Sequence, residues 1–177
     1  MKKVLIILIS ILTLTSCAPK SAKEAVKDYL DMYITLNDNV LNELDEVVEN
    51  QSLNDTQKEK YKEIVKKEYS SIGYEFVSEK YEEDYAYVNT RIKVLDLYKA
   101  QSEAITYFNQ NKNEFYDENG LYNRSKFTDY KLDKMNNTED FVSYEVEFKL
   151  IKDNNTWRVL QLSNNDLEKL HGIYSAN

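Results

Sequence analysis

The chain has 177 residues, with 23 Lys and Arg against 31 Asp and Glu, a formal net charge of −8 and 42% hydrophobic residues. That length supports one domain with a real core, and the acidic balance excludes the clustered basic surface that nucleic-acid binding, or electrostatic attachment to anionic lipid, requires. Three glycines, one cysteine and one histidine leave little material for a phosphate-cradling loop or a metal cluster; neither G-x-G-x-x-G nor G-x-x-x-x-G-K-[ST] occurs, and no metal or cofactor is expected.

The first elements are a basic start, Met1-Lys2-Lys3, and eleven uncharged residues, VLIILISILTL. Crossing a bilayer takes about 20 apolar residues, so this run reads as an export signal. It ends in Leu14-Thr15-Ser16-Cys17, which resembles the lipobox of bacterial lipoproteins. The resemblance implies that the Cys17 thiol carries a diacylglyceryl group and that the chain is cut between Ser16 and Cys17. A lone cysteine has no intrachain disulfide partner, and Ala18, Pro19 and Lys20 read as the start of a tether. Lys2 and Lys3 are the only charged residues of the first 16, so the remaining 161 residues carry 21 basic and 31 acidic side chains, net −10. Lipid, not charge, must then do the anchoring, and two acyl chains hold where one is marginal. The expected organisation is 1–16 lipoprotein signal peptide, 17–20 lipidated tether and 21–177 a single α+β domain, lipid-anchored on the extracytoplasmic face of the cell membrane of a one-membrane bacterium.

Beyond the tether, Ser21 and Glu24 form the S-x-x-E pattern of a capping box. Ala22, Val26, Tyr29, Leu30 and Tyr33 recur at helical spacing, which predicts a first helix ending near Leu36. A second is expected after Asn39, on Val40, Leu44, Val47 and Val48. A third, capped by Asn54 or Asp55, places Tyr61, Ile64, Val65, Glu68 and Ile72 on one face, with Gly73 as a left-handed stop. At Tyr74 the period drops to two: residues 74–81 and then Ala86, Val88, Thr90, Ile92 and Val94, alternating with Tyr85, Tyr87, Asn89, Arg91 and Lys93, predict a hairpin turning at 82–84.

Helical spacing returns at Leu97, Gln101, Ala104, Ile105 and Phe108, followed by a turn at 117–120 and a weaker helical stretch over 127–135. Val142, Tyr144, Val146, Phe148 and Leu150 alternate, and Asp153-Asn154-Asn155 turns them into a last strand over 157–162. A short helix bearing Leu167 and Leu170 ends at Gly172. Helices segregated from antiparallel hairpins indicate an α+β fold.

Three stretches, "SAKEAVKDYLDMY", "YEFVSEKYEEDYAYVNTRIKVLD" and "FKLIKDNNTWRVLQLSNNDLEKLHG", together resemble bacterial lipoproteins with a nuclear-transport-factor-2-like domain, the cystatin-like roll. That resemblance implies N-terminal helices packed on a curved antiparallel sheet, a cone with a cavity and no fixed chemistry. Two features depart from the pattern: Asn154-Asn155 stands where Asp-Gly is common, and the segment 97–139 is long.

The residues that could carry chemistry are few. His171, the single histidine, stands at a helix end where its bland role is to meet the last carbonyls. Asp117, Asn119 and Gly120 suggest a calcium loop, but with Gly120 as sixth position the first and twelfth would be Phe115 and Lys126, so the acidic ligands are missing. Tyr85, Tyr87, Tyr144 and Trp157 are candidate pocket-lining aromatics, with core packing as the blander reading. Trp157 is expected to pack on the helical layer and fix the last hairpin to it. With no catalytic residue assigned, the expected function is a non-enzymatic module that binds a small ligand or an envelope protein, and no nucleic acid. Two alternatives stand beside it: a small-molecule enzyme of the ketosteroid-isomerase-like type, using a buried carboxylate and a tyrosine, and a purely structural envelope protein.

Overall fold

The computed structural model describes residues 20–175, so Ser16 and Cys17, with the cleavage and lipid sites assigned to them, lie outside the described residues. Three helices come first: α1 (Ala22–Ile34), α2 (Asp38–Glu49) and α3 (Asp55–Ser70). Each starts where a polar side chain can satisfy the orphan amides of a first turn. Ser21 and Glu24 form a reciprocal capping box on α1, Asn37 caps α2, and Asn54 with Gln57 forms a second capping box on α3.

Gly73 does not stop α3. The helix ends at a Ser71 cap, and Gly73 is the first residue of β1 (Gly73–Glu82), paired with Lys93 of β2 (Tyr85–Leu95). Ser71 closes the helix instead, its hydroxyl donating to the Glu68 carbonyl at 2.8 Å. Val77 is passed over in the pairing between Phe76 and Ser78, an interruption of register on the outer strand.

After the hairpin come α4 (Leu97–Gln110), a 3₁₀ turn (Lys112–Phe115) and α5 (Arg124–Asn136). The chain then returns to the sheet with β3 (Phe141–Asp153) and β4 (Thr156–Val159) and ends in α6 (Asn164–Leu170). β4 is shorter than the expected 157–162, and Ser163 caps α6. The β3–β4 turn puts both central residues, Asn154 and Asn155, at positive φ (47° and 64°), which asparagine tolerates and which matches the twist of the flanking strands.

The sheet is an open antiparallel meander in the order β1-β2-β3-β4. One face carries Ala86, Val88, Ile92 and Val94 of β2 against Val146, Phe148 and Leu150 of β3, all buried with Val26 and Leu30 of α1. The other face is polar: Arg91 pairs with Glu75 at 3.4 Å and with Glu145 at 3.1 Å across three strands. A second core joins Ile64 of α3 to Leu95, Leu97, Ala100, Leu132 and Met135. β1 and β4 are not paired; one side chain from each, Tyr81 and Trp157, brings their rings to 5.6 Å.

Candidate functional site

The helices enclose a largely apolar cavity of about 460 Å³, within the ~300–1,000 Å³ range usual for small-molecule sites. Every helix contributes to it: Tyr33 from α1, Leu44 from α2, Tyr61, Glu68 and Tyr69 from α3, Gln101 from α4, Leu132 from α5 and, at the end of α6, His171. Most of this wall is aliphatic or aromatic. Gln57 holds one end of it together, its side-chain amide donating to Ser125 Oγ at 3.1 Å and Asp129 Oδ1 at 2.8 Å and so tying α3 to α5. Lys67 ties the other end, its ammonium donating to the carbonyls of Asn136 and Thr138 at 2.8 and 3.1 Å.

Glu68 is the exceptional member. It lies one turn beyond Ile64 and Val65 on the buried face of α3, so helical periodicity carries it inward with them. The residue is 1% exposed, and Oε1 has no hydrogen-bond partner among the described residues. Burial alone pushes its carboxyl well above the usual carboxylate range, with no lysine or arginine offsetting it. Around it, burial also raises the hydroxyls of Tyr61 and Tyr69, and the charge of Glu68 adds to both shifts.

His171 is set by a close backbone fit. Gly172 follows it at φ +62°, where an added Cβ would lie 2.0 Å from the Leu95 carbonyl oxygen, and the Gly172 carbonyl accepts the Tyr98 amide at 2.8 Å. Only glycine permits that approach, and it holds the imidazole against Tyr69 and Tyr33, at ring-centroid distances of 5.4 and 6.4 Å. Tyr33 also meets Tyr69 edge-on at 5.1 Å, and its hydroxyl lies 3.3 Å from that of Tyr29. Burial lowers His171 to about 4, so the ring is neutral at physiological pH. It is a half-buried wall residue of the cavity as well as the cap of α6.

The four aromatics singled out from the sequence do not converge. Tyr85 and Tyr87 alternate with the buried Ala86 and Val88 and stand on the opposite face, where Lys149 sits 4.5 and 5.7 Å from their ring centroids. Tyr144 is on the core side but packs on the C-terminal segment, its hydroxyl donating to the Tyr174 carbonyl at 3.1 Å. Trp157 is half-buried and lines a separate shallow groove with Ala25, Tyr29 and Met32 of α1. The sequence signal that did point to the cavity was a carboxylate, Glu68, on the apolar face of α3.

Asp117 caps its own loop, Oδ1 accepting from the amides of Asn119 and Leu121 at 2.9 and 2.8 Å. Among the described residues, no group of three or more His, Cys, Asp and Glu side chains could hold a metal ion. Nor, among them, is any helix long and apolar enough to cross a membrane. Comparison with protein-family models, curated proteins and solved structures finds no match.

Proposed function

We propose that this protein is an extracytoplasmic lipoprotein, anchored through Cys17, whose domain binds a small, largely apolar ligand in the helix-bounded cavity without turning it over. The observation that carries the binding reading is the cavity itself, about 460 Å³ walled by all six helices. The anchor rests on the basic start, the apolar run and the lipobox-like Leu14-Thr15-Ser16-Cys17. A nuclear-transport-factor-2-like roll is the architecture we favour, supported by the four-stranded meander covered by helices and by the meeting of Tyr81 and Trp157 from its outer strands.

One observation favours the enzyme alternative: a buried carboxyl group beside tyrosines, the pairing that tunes acids in apolar sites. Against it, burial raises both the Glu68 carboxyl and the neighbouring tyrosine hydroxyls, which disfavours the ionised form that a general base needs. Binding without turnover is the reading that fits these shifts.

The test is saturation-transfer NMR on the full chain with phenylbutanol as an apolar probe. Saturable binding is expected, and Thr128→Trp, which places bulk on the α5 wall of the cavity, should abolish it while leaving the fold intact by circular dichroism. Binding that is absent, or indifferent to Thr128→Trp, rejects the cavity as the site.

A further inference from the structure

The cavity contains a group that an apolar ligand alone leaves unused. Glu68 is 1% exposed, lines the wall, and keeps Oε1 without a hydrogen-bond partner among the described residues. A buried polar atom of this kind is costly, and a ligand able to satisfy it gains a charge-assisted contact in a site of low dielectric. The rings that feel its charge are those of Tyr61 and Tyr69, and aromatic π-faces favour a cation. The protein supplies none at this point: no ion pair involving Glu68 is formed by the described residues, and burial is the one cause of its shift.

Resting on the cavity reading above, we infer that the ligand is an organic ammonium ion, its amino head against Glu68 and its apolar body along Leu44, Val65 and Leu132. Atoms and charge balance simply. When the ammonium form enters, the carboxyl proton of Glu68 leaves to solvent; when the free amine enters, that proton passes from Glu68 to the nitrogen. Both routes end in the same carboxylate–ammonium pair.

The titratable groups facing the cavity from the surrounding elements are Tyr33 on α1, Glu43 on α2, Tyr61 and Tyr69 on α3, Lys131 on α5 and His171 at the end of α6. α4 contributes Leu97 and Gln101, neither of which titrates. His171, held at about 4, stays neutral above pH 6, and the three tyrosines are raised away from neutrality. Any contribution of Glu43 and Lys131 persists when Glu68 alone is replaced, so Glu68→Gln isolates the pair.

The test compares phenylbutylamine with phenylbutanol, equal in body and different in head, by calorimetric titration of the full chain between pH 6 and pH 9. The wild type should bind the amine at least about tenfold more tightly than the alcohol, with amine affinity rising with pH as the Glu68 proton becomes easier to displace and alcohol affinity flat. Glu68→Gln should erase both the preference and the pH slope, so that the amine and the alcohol bind alike, and its thermal unfolding should report an intact fold. Equal affinity for the two probes, or a preference that survives Glu68→Gln, overturns the ammonium assignment and leaves the cavity as an apolar site. Failure of both probes to bind overturns the cavity reading and the inference with it.

Discussion

Glu68 and His171 face the same cavity and respond to pH in opposite senses. The buried Glu68 carboxyl keeps in the fold a proton that the unfolded chain gives up above about 4.5, so the unfolded state binds fewer protons and stability falls as pH rises from there toward the raised native value. His171 is held at about 4 against an ordinary 6.5; the unfolded chain takes its proton first, and stability falls as pH drops through that window, by at most about 3 kcal/mol. Urea unfolding of matched variants separates the two. The stability advantage of Glu68→Gln over the wild type should grow as pH is raised from 4.5 to 8, whereas that of His171→Phe, which retains a ring against Tyr33 and Tyr69, should grow as pH is lowered from 6.5 to 4. Curves of the opposite slope would show that these groups meet water, not the cavity wall.

Among the elements, the last hairpin depends on its one tryptophan. Trp157 lies on β4 and shares its groove with Ala25, Tyr29 and Met32 of α1, while its ring meets Tyr81 of β1 at 5.6 Å, which places it between the hairpin and the helical layer. A fully buried tryptophan would cost about 3–5 kcal/mol on truncation. Trp157 is half-buried, and at ~25 cal/mol per Å² the expected loss for Trp157→Ala is about 2 kcal/mol. A thermal midpoint that does not move would show that α1 and β4 are joined by the remaining contacts alone.

Periodicity made the order of these elements legible, because each helix and strand buries one face and the pattern of that face is local. Alternation likewise put Tyr85 and Tyr87 opposite Ala86 and Val88, a placement at odds with lining a core-side pocket. The cavity was not legible, since its walls come from residues as far apart as Tyr33 and His171, and no local period encodes which helices will stand apart. The long segment 97–139 shows the same limit: in the sequence it obscures the pocket, whereas in the fold α4 and α5 form its wall, backed by the Phe115 cluster with Phe108, Phe127 and Tyr130.

At the scale of the whole molecule, the proposed anchor and the fold are close neighbours in the chain. Ser21 already caps α1, its hydroxyl accepting the Glu24 amide at 3.2 Å while the Glu24 carboxylate accepts the Ser21 amide at 2.6 Å, so only three positions, Ala18, Pro19 and Lys20, lie between Cys17 and that cap in the sequence. Four residue steps reach at most roughly 14 Å, which would hold the start of α1 near the membrane surface once the thiol is acylated. A net charge of −10 beyond residue 16 gives no electrostatic reason for the domain to stay there by itself. Attachment should therefore fail completely, not partially, when the thiol is lost: Cys17→Ala should either shift the protein to the soluble fraction or leave it with its signal uncut, and mass spectrometry of the wild type should find a diacylglyceryl-modified Cys17 as the first residue. The cavity lies within the folded domain, so the variant's thermal midpoint and phenylbutanol binding should match those of the wild type. Normal processing and membrane retention of Cys17→Ala would dismiss the lipid anchor while leaving the binding site untouched.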